Sequence, residues 1–280
     1  MVERPSGGGI TSGGQVVSFA RPPVVEVVAG LVFSDYPAEL TVFLSAFWTE
    51  ELRREFPSLQ LQPPYTPPEE QFDDRIVPAV SFQLGATFPA PRLWAAAEDG
   101  QELVQLQADW LAHNWRKVKP DGEYDRWEAR RAALTRTYDA LKDYLTGSGI
   151  AMPQIRQCEV TYVNHISLES MPEGHGAVGS FLKGQEVLSR LGNVEQLTLQ
   201  TSYKIDTGTR PVGRLHVKLN PALDASGKPV YVLELTARSA PATMDLETAL
   251  SFLDSGRNAI NNAFMGLTTE SAHQRWGFEG

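Results

Sequence analysis

The sequence predicts an α+β protein of two pseudo-repeated β-α-β-β-β-α halves, residues 22–150 and 151–280, with curved antiparallel sheets and helices packed on one face. Three observations lead there. Apolar residues alternate with a period of two over short β-branched runs and recur every three or four residues over longer ones. Turn signals, Asp99-Gly100, DTGT at 206–209 and DASGKP at 224–229, cut the short runs into meanders. The order of elements in the first half also recurs in the second, although the two copies share few residues beyond Glu26-Val27 against Glu159-Val160.

Residues 1–21, rich in glycine and proline, form an expected flexible tail with no apolar run of signal-peptide length. Pro23 to Ser34 reads as the first strand. Ser34 or Asp35 offers an N-cap for a helix whose stripe is Leu40, Phe43, Leu44, Phe47, Trp48, Leu52 and Phe56. The prolines between Pro57 and Pro68 predict an irregular or polyproline connection. Val80, Phe82 and Leu84 alternate as a strand, and Asp99-Gly100 predicts a hairpin whose second arm, Leu103–Val118, fits a helical stripe through Leu103, Leu106 and Trp110 or a strand face through Val104, Leu106, Ala108 and Trp110, and is read as one strand. Tyr124, Trp127, Leu134, Tyr138, Leu141 and Leu145 mark a long helix that Gly147 and Gly149 stop.

The second half opens with a strand over Ile155–Leu168, followed by a short helix around Phe181–Leu191. Three antiparallel strands then run through Leu197–Ile205, Leu215–Leu219 and Val230–Arg238. The stripe Leu246, Leu250, Leu253, Ile260, Phe264 and Leu267, capped near Thr243, closes the chain as a helix.

With 280 residues, 42% apolar and 21% charged, the composition excludes collagen, coiled-coil, disordered and disulfide-scaffold classes. No apolar run approaches the roughly 20 residues that span a bilayer, and the lone Cys158 with no secretion signal points to a reducing compartment, the cytoplasm. The net charge of −9 makes nucleic acid an unfavoured partner unless a local patch overrides the mean. Residues 1–150 hold 21 acids and 14 bases, residues 151–280 hold 13 and 11, so the second half is nearer neutral. The basic stretch from Arg116 through Arg126, Arg130 and Arg131 to Arg136 is interleaved with Asp121, Glu123, Asp125 and Glu128, the pattern of a solvated helix face.

Four stretches, RPPVVEVVAGLVF at 21–33, LVQLQADWLAHNWRKV at 103–118, CEVTYVNHI at 158–166 and AINNAFMGLTTESAHQRWG at 259–277, resemble a sporadically distributed bacterial family of unassigned function. The resemblance implies a stand-alone cytoplasmic protein of patchy occurrence, as among accessory or defence genes, and a strand for the segment ending Asn114-Trp115-Arg116. It brings no catalytic residues with it.

The five histidines are scattered, with no HExxH or Cys-rich spacing, so neither a metal nor another cofactor is expected. GxSxG is absent, and Gly179 to Gly184 lacks the P-loop lysine. Cys158 reads as a packing residue. Asn164 lies in phase with Val160, Tyr162 and Ile166, where its amide must either pin a loop or touch a ligand. Asn114 and Arg116 are the polar exceptions in an apolar arm, Arg116 being suited to a carboxylate or phosphate or to a surface ion pair. Arg214, His216, Lys218 and Asn220 alternate with Leu215, Val217 and Leu219 as the wet side of a sheet or an anion-binding face. Arg257 interrupts the last helical stripe and needs a partner.

These residues favour a non-enzymatic protein that binds a protein or small molecule, with Asn114, Arg116, Asn164, Arg214, His216 and Lys218 as candidate contacts. The alternative is an enzyme on a small molecule or phosphate ester in a groove between the halves, using Arg214, His216, Glu159 or Tyr162.

Overall fold

The computed structural model describes residues 18–37, 39–72, 91–119, 124, 126–169, 171, 173–185, 192–206, 208 and 210–278. The strand expected over Val80–Leu84 lies outside these residues, as does the end of the helix expected around Phe181–Leu191; residues Gly174–Ser180 before it form a 3₁₀ helix. The strands are β1 (Val24–Ser34), β2 (Ser58–Gln62), β3 (Arg92–Ala96), β4 (Glu102–Gln107), β5 (Trp110–Arg116), β6 (Gln154–Ser167), β7 (Leu199–Asp206), β8 (Pro211–Leu223) and β9 (Pro229–Ser239). They form a nine-stranded antiparallel sheet in the order β2-β3-β4-β5-β1-β6-β9-β8-β7. With α1 (Leu40–Phe47), α2 (Trp127–Gly147), α3 (Leu246–Leu267) and α4 (Glu270–Arg275), the chain is mixed α+β. No described helix is long and apolar enough to cross a membrane.

By internal packing the chain divides into two compact units. The first unit is Val28–Glu159 with Ser239–Ser251; the second is Met1–Val27, Val160–Arg238 and Phe252–Gly280. The dividing points fall inside β1, β6, β9 and α3.

In the first unit, β1 ends at Ser34, and Asp35 after it has a φ of 55° in the left-handed region. Neither Ser34 nor Asp35 caps α1; its N-cap is Glu39, without a side-chain bond. The predicted stripe is buried at Leu40, Leu44 and Phe47, and the helix then widens into a π turn over Trp48–Leu52, closed by Arg53 N–H on the Trp48 carbonyl at 2.8 Å. The connection expected to be irregular contains β2, because Pro57 and Pro63 bracket that strand without interrupting it. β2 pairs with β3 from Ser58↔Ala96 to Gln62↔Arg92.

The Asp99-Gly100 turn joins β3 to β4 as expected, with Gly100 N–H on the Ala97 carbonyl at 2.9 Å. The single strand predicted over Leu103–Val118 is instead β4 and β5, joined at Ala108-Asp109. The Asp109 carboxylate accepts from Gln107 Nε2 at 2.6 Å and its carbonyl from Phe33 N–H at 2.9 Å, holding a two-residue turn that alternation alone does not reveal. α2 begins at Trp127, later than the Tyr124 stripe suggests. It ends where the glycines predict, with Gly149 at φ 74°, Ile150 N–H on the Leu145 carbonyl at 2.8 Å and Gly149 N–H on that of Thr146 at 3.1 Å.

The β3–β5 register sorts the side chains of this unit. Leu93 pairs with Leu106, Leu106 with Leu111 and Val104 with His113, all buried on the side of α2. Trp94 pairs with Gln105, Gln105 with Ala112, Leu103 with Asn114 and Gln107 with Trp110, so the opposite face carries most of the polar groups. Trp110 lies against Gly30 of β1, where even a methyl group would overlap its ring.

In the second unit, Val160 of β6 and Ala237 of β9 are fully buried beneath α3. Gly256 lets the helix approach them so closely that a Cβ there would stand 2.9 Å from Ala237 and 3.2 Å from Val160. Leu215, Val217 and Leu219 share the buried face of β8, as their alternation predicts. α3 starts where its stripe predicts, capped close to Thr243 by Asp245, with Thr248 N–H on Asp245 Oδ1 at 2.8 Å. Residues 18–21, assigned to the tail by composition, are held by the C-terminus. Ala20 and Arg21 N–H donate to the Gly277 and Trp276 carbonyls, and the Phe19 ring packs among Phe264, His273, Trp276 and Phe278.

Candidate functional site

On the face of the first unit turned away from α2, side chains from β3, β4 and β5 build a ladder of rings and guanidinium groups. The Arg92 guanidinium lies 5.4 Å from the Tyr65 ring centre and 5.3 Å from that of Trp94, and the Arg116 guanidinium lies 5.9 Å from Trp94. Each cation–ring contact contributes about 0.5–1 kcal/mol when exposed and more when dry. A chain of amides fixes the ladder from beneath. Gln105 Oε1 accepts from Arg92 Nη1 at 2.7 Å and from Trp94 Nε1 at 3.2 Å, while Gln105 Nε2 donates to Asn114 Oδ1 at 2.8 Å. Arg116 Nη2 donates to the Gly100 carbonyl at 3.1 Å. The Nε–H groups of both arginines are buried and meet no acceptor among the described residues. Burial holds the Arg92 pKa below its ordinary value, with the Tyr65 hydroxyl acting in the other direction.

Tyr65 is positioned by the segment after β2. Gln107 brackets its backbone, accepting from Tyr65 N–H at 2.9 Å and donating to its carbonyl at 2.7 Å. Gln157 does the same further along, donating to the Pro68 carbonyl at 2.8 Å and accepting from Glu70 N–H at 3.2 Å. The Tyr65 ring meets Trp110 edge-on at 5.1 Å, and its hydroxyl donates to Glu159 at 3.4 Å.

Of the residues expected to form a site, Asn114 and Arg116 therefore belong to one assembly. Asn114 is buried and works as a support, and Arg116 is half-buried at the edge of the ladder. Asn164 is in the second unit, buried, its amide donating to the Leu233 carbonyl at 3.1 Å, which satisfies the need for a pinning partner. Arg214, His216 and Lys218 lie on β8 with side chains half-exposed; His216 Nδ1 meets Ser202 Oγ at 2.9 Å and Lys218 Nζ meets Glu234 at 3.1 Å. Tyr162 and Glu159 alternate to opposite faces of β6, so these two side chains of the enzymatic alternative do not face one substrate together. Arg257 is half-buried and reaches Asn258 Oδ1 at 3.5 Å.

Arg130 and His113 are buried polar groups outside the expected set. Arg130, placed by its charge pattern on a solvated helix face, is instead buried against β4 and ion-pairs with Glu102. His113 stands 3.4 Å from the same carboxylate, and its pKa is pushed down to about 3, first by burial and then by Arg130 and Arg136. Cys158 is buried, and desolvation pushes its thiol up to about 12. Among the described residues no group of three or more His, Cys, Asp or Glu is placed to hold a metal ion.

Sequence reasoning missed Tyr65, Arg92, Trp94 and Gln105. The available signal was the spacing of Arg92 and Trp94 two apart on a strand, which puts both on one face. No family model matches the chain, and no curated protein matches it.

Proposed function

We propose that the chain is a cytoplasmic, non-enzymatic binding protein, a member of the bacterial family its four segments resemble, that recognises a protein partner through the Tyr65–Arg92–Trp94–Arg116 ladder. The observation that carries this reading is the ladder itself. Tyr, Trp and Arg are the residues that dominate binding energy at protein interfaces, and here Gln105, backed by Asn114, holds Arg92 and Trp94, Gln107 holds the Tyr65 backbone and the Gly100 carbonyl holds Arg116. The two arginines favour an acidic or carbonyl-rich surface opposite them.

The proposal includes descent from a duplicated βαβββα unit. Support comes from strand order: the run β3-β4-β5-β1 is matched in reverse by β6-β9-β8-β7, so each run places its opening strand beside its closing one. β2 is then an addition to the first run.

The test is affinity capture from the native host with the parent and with Trp94→Ala/Arg116→Ala, quantified by mass spectrometry. A partner retained by the parent and lost by the double variant, at unchanged thermal stability, supports the reading. Equal recovery by both proteins refutes it.

A further inference from the structure

We propose that the ladder recognises its partner through carboxylates, the segment it takes being an acidic peptide whose Asp or Glu side chains meet Arg92 and Arg116; this rests on the ladder's being the partner site. Neither guanidinium has a counter-charge of its own. Arg130, Arg131 and Arg156 of the same unit ion-pair with Glu102, Glu247 and Glu69. Arg92 and Arg116 meet no carboxylate among the described residues. Each donates instead to one neutral oxygen, Arg92 Nη1 to Gln105 Oε1 and Arg116 Nη2 to the Gly100 carbonyl, and the Nε–H of each is buried without an acceptor. Two half-buried cations beside one indole repel each other and have lost part of their hydration, and an anion is the group that offsets both costs.

Geometry and surroundings select the carboxylates of a short peptide. A guanidinium held over a ring keeps its in-plane N–H groups open, and a planar carboxylate matches them with two parallel bonds. The two guanidiniums lie 5.3 and 5.9 Å from the Trp94 ring centre. Acidic side chains two apart on an extended segment stand about 6.8 Å from one another, so one short stretch reaches both. A neutral carbonyl would leave both charges uncompensated. A long polyanion is disfavoured for the opposite reason: the turn that supplies the Gly100 carbonyl carries exposed Glu98 and Asp99, and Glu159 takes the Tyr65 hydroxyl at the other end of the ladder. A phosphodiester chain running past either end meets like charge.

Fluorescence anisotropy with the full chain and labelled hexaglutamate, hexaglutamine and oligothymidylate tests the proposal. Hexaglutamate should bind, and added salt should weaken it; the other two probes should bind at least about tenfold more weakly. Arg92→Gln and Arg116→Gln should each weaken hexaglutamate by about tenfold or more, whereas Lys218→Gln, which removes a cation paired with Glu234 in the second unit, should leave it unchanged. Thermal unfolding checks that each variant is folded, and Arg116→Gln, at the edge of the ladder, carries the test if Arg92→Gln is not. No binding of hexaglutamate at low salt, equal binding of hexaglutamine, tighter binding of oligothymidylate, or indifference to the folded arginine variants overturns the proposal. Partner capture that still depends on Trp94 and Arg116 would then leave the ladder's reading standing without its carboxylates, whereas capture indifferent to them removes both.

Discussion

Replacing Gly30 by alanine should be the most damaging single-methyl change in the first unit. The added Cβ would stand 2.2 Å from Cη2 of Trp110 and 2.6 Å from Cζ2, so the indole must retreat by about 1 Å to reach ordinary contact. It has little room to do so: Trp110 is 2% exposed, Val32 and Ala112 pack with it, and the Tyr65 ring stands edge-on against it. Overpacking of this kind costs about 1–3 kcal/mol, and the confinement places Gly30→Ala near the upper end. Urea unfolding followed by circular dichroism measures it. Trp110→Phe removes the outer indole atoms that overlap, so the double variant should be more stable than the sum of the single changes implies, by at least about 1 kcal/mol. A cost for Gly30→Ala below about 0.5 kcal/mol, or strict additivity with Trp110→Phe, refutes this account of the contact.

His113 titrates near 6.5 when unfolded and near 3 when folded, so the unfolded chain binds more protons between those values. Its contribution is present above about pH 6.5 and is lost as pH falls toward 3; the stability gap between parent and His113→Gln should narrow over that window, and a gap independent of pH would exclude it. Cys158 should resist iodoacetamide in the native protein and react once urea unfolds it; rapid native labelling would contradict its burial. Gly149→Ala should lower stability by about 1 kcal/mol, because its φ of 74° strains any residue with a Cβ, and an unchanged urea midpoint would count against that strain.

The long periodic elements were legible in the sequence because each buries one face. The α3 stripe from Leu246 to Leu267 and the alternation along β8 both express the burial that the folded chain shows. What escaped was set by partners distant in sequence. Ala108-Asp109 became a turn because Gln107 and Phe33 supply its hydrogen bonds, and Asn114 became a support because Gln105 faces it across the hairpin. Tyr65 joined the ladder through a segment that proline content describes only as irregular.

Net charge misled in the same way. Arg130 looked like one of several cations along a solvated helix, yet the helix turns it toward Glu102, and the burial that makes this pair firm also keeps His113 neutral. Arg92 and Arg116, separated by an entire hairpin in sequence, both bring their guanidinium groups to the Trp94 ring. Alternation sorts charges by face before it sorts them by number, so a chain with a formal charge of −9 can still present local cationic surfaces. The proposed partner is therefore to be sought by face, at the first-unit ladder, through variants of Trp94 and Arg116.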